Sequence, residues 1–172
     1  MVQKILDVGC GSHPHADATV VTDLYLQGDK TERSEGDLVV LPGQKFVQAD
    51  INELPFKDKE FDYVYCTHVL EHVPDPMKAC IELMRVAKSG YIETPSLIWE
   101  TLFGRHFHKW VVKKDKGILV FKKKKIEPNT FDGDLLHREI PVFKKMFNEN
   151  KDIFSVRFHW ENNFKIQCIK YG

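Results

Sequence analysis

The chain has 172 residues, of which 42% are hydrophobic and 29% charged, and its formal net charge is zero. These values are typical of one globular domain, here expected to span residues 1–172, and leave little room for a second. No apolar run approaches the roughly 18 residues of a membrane-spanning helix. The first residues lack a secretory pattern, and none of the four cysteines forms a CxxC pair, which predicts a cytoplasmic protein with reduced thiols and no membrane partner.

The charge is unevenly distributed along the chain. Residues 1–75 carry 14 acidic and 6 basic side chains, whereas residues 76–172 carry 11 acidic and 19 basic ones. Eight of the 17 residues in Lys109–Lys125 are lysine. Such a segment indicates either an anionic partner or a hairpin edge that lysine keeps solvated.

Four short segments near the amino terminus predict strands, because they are rich in β-branched and aromatic residues. They are Val2–Val8, Ala18–Leu26, Lys45–Asp50 and Phe61–Cys66. About nine residues, including Pro14, separate the first two strands. The first crossover is therefore expected to be a short helix or a loop. The polar, glycine-containing residues 27–43 predict a second loop.

The next segment, Asp75–Gly90, has apolar residues at helical spacing, with Asp75 as the expected N-cap and Gly90 as the expected stop. A fifth strand is predicted at Tyr91–Thr94. Residues 96–137 do not continue the alternation of strands and helices, and they contain a predicted hairpin, "HKWVVKKDKGILVFKKK". Residues 138–152 resemble a last helix, and residues 154–171 predict two strands joined at Glu161–Asn163 in a closing hairpin.

The alternation of strands and helices predicts an α/β, Rossmann-like fold with a mostly parallel central sheet and helices on both faces. The closing hairpin is expected to add an antiparallel edge strand at the carboxyl terminus. Residues 96–137 are expected to form an insertion over one end of the sheet, on the substrate side.

The ends of the predicted strands carry the residues that suggest a ligand, because ligands of open α/β sheets bind beyond the carboxyl ends of the strands. Gly9 and Gly11 allow the backbone to approach a ligand closely. Asp23 is placed to accept hydrogen bonds from a ribose diol, and Asp50 from an adenine amine. Pro14 stands where a dinucleotide site has its third glycine, so the pattern favours an adenosine ligand without phosphates.

Four motifs in order, "LDVGCGS", "VTDL", "QADINELPFKDKEFDYVYCTHVLEHVPDP" and "LMRVAKSGYIETPS", resemble those of class I S-adenosylmethionine-dependent methyltransferases. The nearest group is the broad, methyltransferase type 11-like one, and the resemblance covers residues 4–96. It implies S-adenosylmethionine as cofactor and S-adenosylhomocysteine as product. It further implies that Asp7, Gly9, Cys10 and Gly11 line the methionine part, that Asp23 and Leu24 lie at the ribose and adenine, that Asp50 and Ile51 bind the adenine, and that Thr67 and His68 close the site near the sulfonium.

The segment His68-Val69-Leu70-Glu71-His72 carries two alternatives beyond cofactor binding. If it turns helically, His68, Glu71 and His72 share a face and are candidate ligands of a divalent metal. Otherwise Glu71 and His72 make local structural hydrogen bonds, and no metal is involved. His68 is also a candidate general base, or a residue that packs against the cofactor.

The insertion contains a run of aromatic and basic residues on the expected acceptor side of the sheet. Such residues can stack on a ring and pair with an anion, or they can form a small hydrophobic cluster. They are Trp99, Phe103, Arg105, His106, Phe107, His108 and Trp110.

Three functions remain open from these patterns. The leading hypothesis is methyl transfer from S-adenosylmethionine to a small acceptor that is anionic or sugar-like. The second is methylation of RNA, with Lys109–Lys125 following the phosphates. The third is a non-catalytic scaffold that keeps the methyltransferase fold.

Overall fold

The computed structural model describes residues 3–26, 36–124 and 141–169, and a six-stranded sheet forms its centre. Its strands are β1 (Ile5–Val8), β2 (Val20–Asp23), β3 (Lys45–Gln48), β4 (Phe61–Thr67), β5 (Ala87–Pro95) and β8 (Ser155–Glu161). They lie in the order β3-β2-β1-β4-β5-β8. The first five are parallel and β8 pairs antiparallel with β5. The predicted α/β class, with its mostly parallel sheet and antiparallel edge strand, is confirmed.

The connection from β1 to β2 contains no helix, so the predicted short first crossover is a loop. Residues 27–35 of the second predicted loop, and Val2 of the first predicted strand, lie outside the described residues. All four residues of β1 and all four of β2 are buried, as expected of strands covered on both faces.

Helix α1 (Pro76–Val86) begins as predicted and ends earlier than predicted. The Asp75 carboxylate accepts the Lys78 backbone N–H at the amino terminus, where Pro76 occupies the first turn. Gly90 does not stop the helix, because β5 starts at Ala87 and Gly90 lies inside it. A Cβ on Gly90 would lie 2.6 Å from the Val64 carbonyl oxygen. Gly90 is thus a site of close strand packing, not a helix terminus.

The predicted hairpin of the insertion forms a second sheet with the last strand of the chain. Its strands are β6 (Trp110–Asp115), β7 (Ile118–Lys123) and β9 (Lys165–Ile169), in the order β6-β7-β9. Lys116 and Gly117 make the two-residue turn with φ of 46° and 79°. The predicted closing hairpin is wrong, because β9 pairs in parallel with β7 while β8 joins the central sheet.

One hydrophobic core joins the two sheets to α1. It includes Leu83 of α1, Ile92 and Trp160 of the central sheet, and Val112 and Phe121 of the second sheet. The chain changes sheets at Asn162, whose φ is 59°. Burying Trp160 and Phe158 on one strand and packing Ile166 and Cys168 on the next places both strands around the same core. This packing explains why β8 and β9 separate.

The remaining helices lie beyond the carboxyl end of β5. Helix α2 (Leu97–Phe103) follows β5 directly, and α3 (Pro141–Glu149) and α4 (Lys151–Phe154) precede β8. They share a second cluster of Trp99, Phe103, Phe143, Met146, Phe147 and Phe154. Helix α3 confirms the predicted last helix. Residues 138–140 of the predicted segment lie outside the described residues, as do residues 125–137 of the insertion. In the described ranges, no helix is long and apolar enough to cross a membrane.

Arg85 on α1 holds the loop that contains the sequence Leu54-Pro55-Phe56. Its guanidinium donates to the carbonyl oxygens of Leu54 (2.9 Å) and Phe56 (2.6 Å). It also makes a two-pronged ion pair with Glu82, which in turn accepts the Leu54 backbone N–H at 2.8 Å. The "LPF" motif and the "LMRV" motif are therefore two halves of one hydrogen-bonded unit behind the carboxyl end of β3.

Candidate functional site

A cavity of about 730 Å³ opens beyond the carboxyl ends of β1 to β5. Its size lies within the range of small-molecule sites. All ten residues predicted to contact the cofactor line it: Asp7, Gly9, Cys10, Gly11, Asp23, Leu24, Asp50, Ile51, Thr67 and His68. Since they come from four separate strand ends, the fold brings the predicted set together at one place. Their individual roles toward a cofactor remain predictions.

The glycine turn after β1 is anchored to the end of β2. Gly9 and Cys10 donate their backbone N–H groups to the Thr22 carbonyl oxygen at 2.8 and 3.1 Å, and Gly11 donates to Asp23 Oδ2 at 2.9 Å. Gly9 and Gly11 have φ of 73° and 53°, the region that favours glycine. A Cβ on Gly9 would lie 2.3 Å from Val69, whereas one on Gly11 would meet nothing within 4 Å. Gly9 therefore allows Val69 to pack against the turn, and Gly11 faces open space.

The two buried aspartates of the site already hold backbone groups. Asp23 accepts the Tyr25 backbone N–H at 3.0 Å as well as that of Gly11. Asp7 Oδ2 accepts the His15 backbone N–H at 2.8 Å. Burial raises the pKa of the Asp7 carboxyl, an effect that the His15 N–H partly opposes. Both aspartates therefore shape the turn, and both line the cavity.

The end of β3 adds one exposed carboxylate and one apolar surface. Asp50 Oδ1 accepts the backbone N–H of Asn52 at 2.8 Å, which closes a tight local turn. Ile51 is buried. Asn52 also lines the cavity and was not predicted from the sequence. Leu24, after β2, also lines the cavity and is 43% exposed.

His68 follows β4 in an unusual backbone conformation. Its φ is 55°, a region that non-glycine residues rarely adopt and that clusters at functional sites. Its N–H donates to the Glu93 carbonyl oxygen at 2.8 Å, and its ring Nδ1 lies 3.4 Å from Glu71 Oε1. Burial disfavours its charged form, but Glu71 and Glu93 outweigh that effect and raise the pKa of the imidazole.

Residues 69–72 form a turn, closed by the His72 N–H donating to the Val69 carbonyl oxygen, and not the helix that the metal hypothesis assumed. The turn still brings Glu71 near both histidines, with its Oε1 3.8 Å from His72 Nε2. Burial would raise the pKa of Glu71, but His68 and the neighbouring imidazoles lower it to about 2. Burial also lowers the pKa of His72 to about 4.

The insertion supplies part of the cavity wall. Trp99, Arg105 and His108 line it, and their predicted place on the acceptor side stays a prediction. The Arg105 guanidinium lies 5.7 Å from the centre of the Trp99 ring. His106 is exposed, and Phe103 and Trp110 are buried in the two hydrophobic clusters. Phe107 stacks on His72, with the ring centres 5.6 Å apart.

Several cavity residues had no signal in the sequence. His15 stacks on Tyr65 with ring centres 3.6 Å apart, although 50 residues separate them in the chain. Phe147 and Phe154, from α3 and α4, also line the cavity. The His15 contact arises because β1 pairs with β4, and Phe147 and Phe154 reach the cavity because β8 returns the carboxyl-terminal segment to the end of β5. No local sequence pattern predicts this pairing of β8 with β5.

Comparison with known proteins identifies the family. The model of a methyltransferase domain matches residues 6–92, which is half of the chain. A demethylmenaquinone methyltransferase of Renibacterium salmoninarum is 36% identical over 95 residues, covering 51% of this chain and 38% of that protein. A sterol 24-C-methyltransferase of Schizosaccharomyces pombe is 30% identical over 140 residues, covering 76% of this chain and 34% of that protein. The chain thus spans less than half the length of these relatives.

Solved structures show the same fold at low sequence identity. A complex between the Haloferax volcanii Trm112 methyltransferase activator and a candidate methyltransferase matches with a TM-score of 0.51 and 12% identity, over 94% of this chain and 83% of that one. The matched family model covers the strands and the glycine turn that build the cavity. The chain therefore belongs to the class I S-adenosylmethionine-dependent methyltransferase family.

Proposed function

We propose that this chain transfers a methyl group from S-adenosylmethionine to a small, anionic acceptor. The observation that supports the proposal is the single cavity into which all ten predicted cofactor residues converge and part of whose wall consists of aromatic and cationic side chains. Family membership supports the cofactor, and the wall supports the class of acceptor.

The cofactor half of the cavity suits an adenosine without phosphates. The Asp23 carboxylate sits at the end of β2, where it lines the cavity and is the proposed acceptor for the ribose hydroxyls. Ile51 offers an apolar surface for the adenine, and the exposed Asp50 carboxylate an acceptor for its amine. The open space at Gly11 admits a ligand that a Cβ would obstruct. When bound, S-adenosylmethionine supplies an already activated methyl group, so the protein mainly has to align the reactants.

The acceptor half suits a molecule with a ring or apolar part and a negative charge. Trp99, Phe147 and Phe154 provide aromatic surface, and Arg105 provides a cation beside it. His68 is 47% exposed at the junction of the two halves and is proposed as the general base. Glu71, at 3.4 Å, would stabilise the imidazolium that forms when His68 takes the acceptor proton.

Asp23→Ala tests the cofactor site directly. We expect S-adenosylhomocysteine to bind about 1–3 kcal/mol more weakly, because hydrogen bonds to a carboxylate are lost. Isothermal titration calorimetry with the purified chain measures the change. Asp115→Ala, which removes an exposed carboxylate at the far hairpin turn, is the matched control and should bind like the unchanged protein. Unchanged affinity in Asp23→Ala would mean that the ribose lies elsewhere.

The two other hypotheses give different outcomes in similar experiments. In the described part of Lys109–Lys125, Lys124 forms an ion pair with Glu100. Five other lysines there are exposed: Lys113, Lys114, Lys116, Lys122 and Lys123. If these lysines bind RNA, the affinity for a single-stranded oligonucleotide should fall steeply between 50 and 200 mM salt, by roughly tenfold or more for several phosphate contacts. We expect no saturable RNA binding at the higher salt. A complete absence of heat with millimolar cofactor would instead favour the scaffold.

A further inference from the structure

A group of three metal-ligating side chains lies on the cavity wall where the insertion meets the turn after β4. Glu71, His72 and His108 each offer one ligand atom, and these atoms lie within 4.8 Å of one another. The backbone joins the two segments, because the Glu71 carbonyl oxygen accepts the N–H groups of Lys109 (2.7 Å) and Trp110 (3.2 Å). The group therefore belongs to a fixed part of the fold.

The Glu71 carboxylate is buried beside imidazole rings that favour its charged form, but the described residues give it no hydrogen bond. Its side chain is 1% exposed, and neither oxygen has a hydrogen-bond partner among the described residues. His72 Nδ1 is likewise buried without a partner there. Removing a carboxylate from water costs several kcal/mol unless nearby groups offset the loss. The nearest contact, His68 Nδ1 at 3.4 Å, is half exposed and leaves the second carboxylate oxygen unused.

His108 is held as a metal-bound histidine usually is. Its Nδ1 pairs with the buried carboxylate of Glu100, which also accepts a hydrogen bond from Lys124 Nζ at 2.9 Å. Metal ligands of this kind characteristically pass their other ring N–H to a carboxylate, which fixes the orientation of the ring. The pairing leaves Nε2 of His108 as the nitrogen that an ion can use.

We propose that Glu71, His72 and His108 bind one divalent ion of the zinc class, with Glu100 as the residue that orients His108. Two imidazole nitrogens and one carboxylate are a donor set that Zn²⁺ accepts readily. Tetrahedral coordination needs donors about 3.4 Å apart. His72 Nε2 and Glu71 Oε1 are 3.8 Å apart, and all three ligand atoms lie within 4.8 Å of one another, so side-chain shifts of about 1 Å would reach tetrahedral spacing.

Three protein ligands leave one position open toward the cavity, which all three residues line. An acceptor hydroxyl bound there would lose its proton more easily. This role rests on the proposed function, and it narrows the acceptor to one that presents an oxygen for methylation. The ion site itself does not depend on the proposed function.

Zinc binding by the untagged, chelator-stripped chain tests the site. Calorimetry with Zn²⁺ alone is expected to show one equivalent bound, and the ion should raise the midpoint of thermal unfolding. His108→Gln and Glu71→Gln should weaken zinc binding at least tenfold. His106→Gln, which removes the exposed histidine two residues away, is the matched control and should bind normally. His68→Gln should also retain binding, which separates this ligand set from the predicted set of 68, 71 and 72.

The outcomes are separable from those of the cofactor experiment. No zinc binding by the unchanged chain, or equal binding by Glu71→Gln, would overturn the ion site. Glu71→Gln preserves volume and removes the buried charge, so it should fold even if His108→Gln does not. S-adenosylhomocysteine should bind the stripped chain as tightly as the zinc-loaded one. If the unchanged chain binds S-adenosylhomocysteine but no zinc, only the ion site is refuted. If it binds zinc but no S-adenosylhomocysteine, only the proposed function is refuted.

Discussion

Gly9→Ala is expected to lower the free energy of unfolding by about 3 kcal/mol, the sum of left-handed backbone strain and overpacking. The residue has φ of 73°, and a Cβ would lie 2.3 Å from Val69 Cγ2 and 3.4 Å from Val69 Cβ. The Cγ2 contact is far too short, and χ1 of a β-branched residue is stiff, so Val69 must leave its preferred rotamer or the turn after β4 must move. Because that turn directly follows His68, we also expect weaker cofactor binding.

Urea denaturation of two comparison variants separates the causes. Gly117→Ala has φ of 79° with open space at the Cβ, and it should cost only the backbone strain, about 1 kcal/mol. Adding Val69→Ala should recover at least 1 kcal/mol of the Gly9→Ala loss, as expected for residues in contact. Equal costs for Gly9→Ala and Gly117→Ala would show that the close approach of Val69 is unimportant.

Arg85→Ala is expected to destabilise the chain by about 2–4 kcal/mol, because it leaves the Glu82 carboxylate and two loop carbonyl groups without their charged donor. The loop amide of Leu54 donates to Glu82, so its hydrogen exchange should also accelerate. Thermal or urea unfolding measures the first effect, and amide exchange the second.

Arg157→Ala is the matched control for Arg85. Arg85 contacts Asp58 at 3.1 Å as well as Glu82, and Arg157 likewise contacts two carboxylates, Asp152 and Glu93. The Arg157 side chain is 39% exposed, however, and Asp152 is 85% exposed. Exposed ion pairs contribute at most about 1 kcal/mol. A loss in Arg157→Ala as large as that in Arg85→Ala would mean that the carbonyl contacts of Arg85 add nothing.

Local features of the sequence were enough to predict most of the central sheet. The β-rich runs predicted β1 to β4, and the helical spacing with Asp75 as N-cap predicted the start of α1. The end of α1 was mispredicted because pairing of Ala87 and Ser89 with β4 overrides the local preference of Gly90 as a stop. Likewise, the alternation in residues 165–169 predicted a strand but not its partner, since period two is the same in either sheet.

By itself, then, the sequence determined the α/β class, the glycine turn and the acids that end β2 and β3, because strand periodicity, glycine conformation and strand-end position are local properties. Only the tertiary structure decided what surrounds Glu71. His108 approaches it from 37 residues away and is itself held by Glu100, which Lys124 contacts, and α3 and α4 line the cavity through the antiparallel return of β8. Those contacts depend on which distant surfaces bury each other, and no pattern within one segment encodes that choice.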